Sequence, residues 1–149
     1  MPPSAEDFFK GIYETALSAQ ELLISVELPV AQKNSAQFFR EFARRHGDYA
    51  IAGLAAQAIV QGDVFTDLRM AFFAVGDRPV LAKAAKMLVN VAVTPAVLSG
   101  ASMALGEELD PQEDQQASAS MRRHLAKVLL VRCSSALLGR PDLNSGGRA

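Results

Sequence analysis

Apolar residues change their spacing about halfway along the chain, and that change limits the fold more than any other feature. Before residue 76 they mostly alternate with the two-residue period of a half-buried strand; after it they recur in segments that open on helix-capping residues. Ile24, Val26 and Leu28 alternate with Ser25 and Glu27 up to Pro29, which predicts a first strand. Gln37 to Ala43 is rich in phenylalanine and predicts a second, ended by the His46-Gly47-Asp48 turn. After Gln61-Gly62-Asp63, the segment 65–75 sets Leu68, Met70 and Phe72 against Asp67, Arg69 and Ala71, the pattern of a further strand. Tyr49 to Val60 is open at this level: its alanines favour a helix, its flanking turns a strand.

Three helices are predicted beyond Gly76. Asp77 is placed to cap a short one running through Leu81, Ala85 and Leu88. Thr94-Pro95 opens a second towards Leu109, with proline at the first helical position. Asp110 and Glu113 have the spacing of a capping box and predict a long third helix, with Met121, Leu125, Val128 and Leu129 as its apolar stripe, Arg122 and Lys127 off it, and an end near Gly139. Residues 140–149 lack periodicity and are expected to form a flexible tail. Strands followed by helices imply an α+β domain, with helices covering one face of an antiparallel sheet.

A chain of 149 residues supports one such domain. Its net charge of −1 gives nucleic acid no electrostatic footing, and the longest apolar stretch is too short for the roughly twenty residues of a membrane span. Cys133 is the only cysteine, so neither an internal disulfide nor a cysteine-based metal centre can come from this chain alone. A reducing compartment fits, and the N-terminus lacks the basic and apolar regions of a secretory signal, so a cytoplasmic location is expected.

The residues offer no catalytic constellation. There is no Gly-x-Ser-x-Gly elbow, and His46 and His124 each follow a pair of arginines without a serine or carboxylate placed to use them. Glu107-Glu108 and Glu113-Asp114 suit helix ends better than acid–base work. Gly146-Gly147 has no strand before it or helix after it, as a phosphate cradle requires. Cys133 falls inside a predicted helix, where a buried structural thiol is expected. No catalytic residue and no metal ligand is assigned.

Five segments in order carry a resemblance: Asp7-Phe8-Phe9-Lys10-Gly11-Ile12-Tyr13-Glu14-Thr15-Ala16-Leu17, Glu21-Leu22-Leu23 through Pro29, Phe42 through Ala52, Gly76-Asp77-Arg78-Pro79, and Ala117 through Ala126. Together they resemble the C-terminal domain of the FAD-binding middle subunit of molybdenum hydroxylases, the family of aerobic carbon monoxide dehydrogenase and xanthine dehydrogenase. The resemblance implies a small antiparallel sheet of three to four strands covered on one face by three helices, spanning residues 1–139 with 1–20 as a lead-in segment. Under it Tyr49 to Val60 becomes a strand.

The same resemblance implies a function. The subunit passes electrons from iron–sulfur clusters, through FAD, to an external acceptor. Its partners are a molybdenum-cofactor large subunit and an iron–sulfur small subunit. The glycine-rich segments that hold most of the flavin belong to a preceding nucleotide-binding domain and have no counterpart here, so FAD is expected only where that domain is supplied, and no flavin in the isolated chain. By position Leu23 and Arg40 resemble residues that meet the isoalloxazine end, although the family usually has lysine where Arg40 stands, and arginine is not an equivalent donor. Leu23 lies on the strand face opposite Ile24, Val26 and Leu28. Arg44, Arg45 and Asp48 also match, with a turn-stabilising ion pair as their expected role. The alternative is a non-catalytic module that packs on such subunits.

Overall fold

The computed structural model describes residues 3–147. A short helix α1 (Ala5–Phe8) and a two-stranded hairpin, β1 (Phe9–Gly11) with β2 (Glu14–Thr15), precede an irregular stretch. Then come β3 (Ser35–Phe42), β4 (Ala52–Gln61), β5 (Val64–Phe73) and β6 (Val80–Leu81), a 3-10 helix (Lys83–Leu88), α2 (Pro95–Glu108), α3 (Ala119–Leu138) and a final 3-10 turn (Pro141–Gly147). Strands β3 to β6 pair in sequence order as one antiparallel sheet. The α+β class and the four-stranded sheet agree with the sequence.

Tyr49 to Val60 contributes β4, whose Ala52, Leu54, Ala56 and Ala58 are buried on one face while Ala55 is exposed on the other. Alanine propensity loses here because a central strand with small side chains lets the helices approach closely, and the paired neighbours satisfy its backbone. In β5, Leu68, Met70 and Phe72 are buried, as the alternation predicts. Helix α3 packs on β3 and β4, the 3-10 helix on β5, and α2 closes over α3 and the 3-10 helix. The cover is therefore two α-helices and one 3-10 helix.

Three local predictions fail for physical reasons. Residues 22–30 form no strand and leave their apolar side chains in water. Asp77 caps nothing: Val80 and Leu81 pair with β5 instead, and the helix after them begins beyond Ala82. Its free N–H groups are met from a distance by Glu108, whose carboxylate accepts from Lys83 N–H at 2.7 Å and Ala84 N–H at 3.1 Å. The long helix starts at Ser118, not Asp110, with the Ser118 hydroxyl accepting from Met121 N–H. Residues 114–117 instead close a turn in which Asp114 Oδ1 accepts from the Gln116 and Ala117 N–H groups.

Helix ends were more legible. Thr94 caps α2 by accepting from Val97 N–H, with Pro95 at the first position. Gly139 ends α3 at φ 65°, where Arg140 N–H reaches back to the Ser135 carbonyl. The segment expected to fray does not do so at once. Arg140 donates to the Val93 carbonyl, Leu143 is buried, and Asn144 donates to Ser135. Residues 148 and 149 lie outside the described part.

Candidate functional site

Edge strand β3 carries the residues of interest. Phe38 and Phe42 pack against the core on its helix side, and Arg40 stands between them on the same face by the two-residue period of a strand. It is exposed there and pairs across the ladder with Leu54. Beside it lies a groove of about 430 Å³ lined by Phe38, Arg40, Arg132, Ser135, Pro141 and Asn144, among others. Arg132 reaches in from α3 with its guanidinium 5.3 Å from the centroid of the Phe42 ring. Two cations, one from β3 and one from α3, thus line the groove, and no carboxylate does. The resemblance gave Arg40 but not Arg132, because only the docking of α3 on β3 puts Arg132 there.

Leu23 sits in the irregular stretch, half exposed, and does not line that groove. The two proposed site residues are therefore not brought together within the described residues. Among the described residues no main helix packs on the opposite side of the sheet. There Phe39 stacks on Phe73 at 5.8 Å between centroids, with Leu81 exposed nearby in the register Phe39, Ala55, Ala71, Leu81. Gly53 allows this: a Cβ at that position would lie 2.0 Å from the Phe73 ring.

The turn after β3 is fastened differently from its expected ion pair. Arg45 and Asp48 do approach, at 4.0 Å, but Arg45 is largely in water and such a contact holds little. Arg44 instead donates to the carbonyls of Gln115 and Gln116 at 2.7 and 3.0 Å, tying the turn to the loop before α3. The same loop is gripped by Arg122, which is 6 % exposed and faces the core rather than water. It donates to the carbonyls of Ile51 and Ala74 and, at 2.6 Å, to Asp114. That hydrogen bond, followed by those from the Ala117 and Gln116 backbone, holds the Asp114 carboxyl below its usual pKa.

His46 and His124 are exposed. His124 and Ser102 line one cleft between α2 and α3, yet Ser102 Oγ has no hydrogen-bond partner, so no base is engaged with it. Among the described residues no cluster of three or more histidines, cysteines or carboxylates could hold a metal. No helix among them is long and apolar enough to cross a membrane. Cys133 is fully buried in α3 and its thiol is pushed up to about 12 by desolvation. Native protein at pH 8 should therefore leave a thiol reagent such as DTNB unreacted, with one equivalent released on unfolding in denaturant; fast reaction of the native state would contradict this burial.

Comparison with known proteins gives a consistent picture. A family model described as the CO dehydrogenase flavoprotein C-terminal domain matches residues 37–137. The glyceraldehyde dehydrogenase medium chain of Sulfolobus acidocaldarius is 28 % identical over 129 residues, covering 86 % of this chain and 46 % of that protein. The carbon monoxide dehydrogenase medium chain of Afipia carboxidovorans is 30 % identical over 131 residues, covering 87 % of this chain and 45 % of that protein. Among solved structures, a carbon monoxide dehydrogenase from Hydrogenophaga pseudoflava that lacks the Mo-pyranopterin moiety of the molybdenum cofactor superposes with a TM-score of 0.84 at 25 % identity, over 91 % of this chain and 47 % of that one. The chain spans about half the length of the relatives it matches.

Proposed function

The chain belongs to the CO dehydrogenase flavoprotein C-terminal domain family, and from that premise we propose that it forms one wall of an FAD site whose nucleotide grip is supplied by the half of such subunits that these residues do not span. The observation that carries this is the family match over the sheet and both main helices, in a chain that covers only about half of each medium-chain relative. In this reading the assembled complex contains a molybdenum-cofactor large subunit and an iron–sulfur small subunit and works in the cytoplasm, where a single reduced cysteine is at ease.

The residues present suit the flavin's reactive ring and not its pyrophosphate. A phosphate grip needs free backbone N–H groups at a helix start. The hydroxyls of Thr94 and Ser118 already occupy N–H groups at the starts of α2 and α3, and no glycine-rich loop leads into either. The β3 edge, by contrast, offers positive charge at Arg40 and Arg132 beside apolar Phe38. When bound, FAD would supply reversible electron transfer. Arg40 would hold a fixed positive charge next to the ring and favour its anionic reduced form. Leu23 would cover the ring and keep water from it.

The test is a visible spectrum of the 149-residue chain alone and co-expressed with the nucleotide-binding half of the Afipia carboxidovorans medium chain. No flavin absorbance is expected alone and stoichiometric absorbance in the complex; a yellow isolated chain, or no complex, would count against the proposal. In the flavin-loaded complex Arg40→Ala should lower the reduction potential by on the order of 30 mV, equivalent to about 1.4 kcal/mol for two electrons. A flavin indifferent to both Leu23 and Arg40 would instead mark the chain as an interaction module.

A further inference from the structure

Helices α2 and α3 do not close on each other along their whole length. Leu98, Ser99 and Ser102 recur at helical spacing on α2, as do His124, Val128 and Val131 on α3, and between the two rows lies a cleft of about 730 Å³. A cavity of that size takes a small organic molecule rather than a single ion. Leu98 and Leu143 are buried, and with Val128 and Val131 they give the cleft an apolar wall.

The charged groups around this wall are all of one sign. Lys127 and Arg132 line the cleft beside the His124 imidazole and no carboxylate does, although acidic residues outnumber lysine and arginine in the chain by 16 to 15. Among the described residues neither Lys127 nor Arg132 is in an ion pair. Lys127 crosses to α2 at Gly106, where an added Cβ would lie 2.4 Å from its Cε and 2.6 Å from its Nζ. Its ammonium is therefore laid about one helical turn from Ser102.

Ser102 is the second observation. Its hydroxyl is almost wholly out of water and has no hydrogen-bond partner. Ser134, buried in α3, donates to the Leu130 carbonyl four residues back at 2.9 Å, the usual outlet for a serine inside a helix. Ser102 leaves that outlet unused while lining the cleft. Turning about its χ1 towards a ligand there would break no hydrogen bond and would form one.

We propose that this cleft binds a small amphipathic carboxylate, its anionic head at Lys127, His124 and Ser102 and its apolar body along Leu98, Val128 and Val131. Burial of the body supplies most of the affinity, and the cations fix which end enters where. Arg132 lines both this cleft and the groove beside Arg40, but the proposal does not rest on the flavin reading.

The 149-residue chain provides the test, titrated with octanoate and followed by its amide chemical shifts. Saturable binding at one site is expected, with a Kd of about 1 mM or below and the shifted amides gathered on α2 and α3 around the cleft. Acetate, a head without a body, and octan-1-ol, a body without a head, should each bind at least about ten-fold more weakly. Lys127→Met should weaken octanoate at least about three-fold and leave octan-1-ol unchanged, whereas Lys33→Met, outside the cleft, should change neither. Ser99→Phe, at an exposed position of α2 that lines the cleft, should exclude both by filling it. Octanoate that binds no better than octan-1-ol, ignores Lys127→Met or survives Ser99→Phe would overturn the proposal. Shifts gathered instead on the open sheet face around Phe39 and Phe73, or binding that does not saturate, would overturn it too.

Discussion

Replacing Arg122 with methionine is expected to destabilise the domain by about 3 kcal/mol or more, because it strips two backbone carbonyls and a carboxylate of their donor at once. Arg122 ties the start of β4, at the Ile51 carbonyl, and the end of β5, at Ala74, to the loop that carries Asp114. Each carbonyl left without a partner away from water costs about 1–3 kcal/mol, so the two together carry the loss, while the Asp114 carboxylate, half exposed, can turn to water. Against a typical stability of about 5–15 kcal/mol this is a large share. It should appear as a urea midpoint lowered by about 1 M or more at unchanged slope. Arg123 is the internal control. It bonds the Leu109 carbonyl at 3.3 Å and approaches the exposed Asp110 only at 3.9 Å, so Arg123→Met should cost less than about 1 kcal/mol. Equal losses from the two would refute the structure's account of α3.

The same pair predicts an acid limb. The Asp114 carboxyl is held below its ordinary 3.8 by Arg122, so between the folded and unfolded values the unfolded chain binds more protons and stability rises with pH. The contribution is complete above about pH 3.8 and is lost as pH falls through the depressed folded value. Arg122→Met should flatten that limb.

The second large effect is a contrast between neighbours in β5. Phe72 has no exposed surface, faces the helices and pairs across the sheet with Leu54 and Val80. Phe72→Ala should cost about 3–5 kcal/mol, the range for deleting a core aromatic ring. Phe73, one residue on, points to the open face and stacks on Phe39. Phe73→Ala should cost only about 1 kcal/mol in the isolated chain, the worth of an aromatic pair that water still reaches. Denaturation of the two variants side by side checks the sheet's parity; comparable losses would mean that both faces are covered.

What was legible in the chain follows from how local each signal is. The alternation of Leu68, Met70 and Phe72, the Thr94-Pro95 start and the Gly139 stop depend on neighbours within a few residues, and all three are found as expected. Asp110 misled because two good starts compete within nine residues. Using Asp114 to close a turn under Arg122 leaves Ser118 as the cap. The expected apolar stripe of α3 leaves Arg122 off it and includes Met121, which is exposed. Position along the helix decides otherwise, since Arg122, Ala126, Leu129 and Cys133 are the residues that share the buried face. At the candidate site Arg40 was legible as a position and its neighbour Arg132 was not, since 92 residues of chain separate them.

By itself, then, the sequence determined the α+β class, the strands β3 and β5, the cap of α2, the stop of α3 and the family resemblance, because period, cap and turn chemistry act over a few residues and need no partner. Tertiary structure alone decided that Arg122 is a buried tie, that Glu108 caps a helix 24 residues upstream of it, and that the stripe at 22–30 has no sheet in this domain. Each of these depends on which surface a residue meets. That is set by the free energy of burying groups far apart in the chain, which no local pattern records.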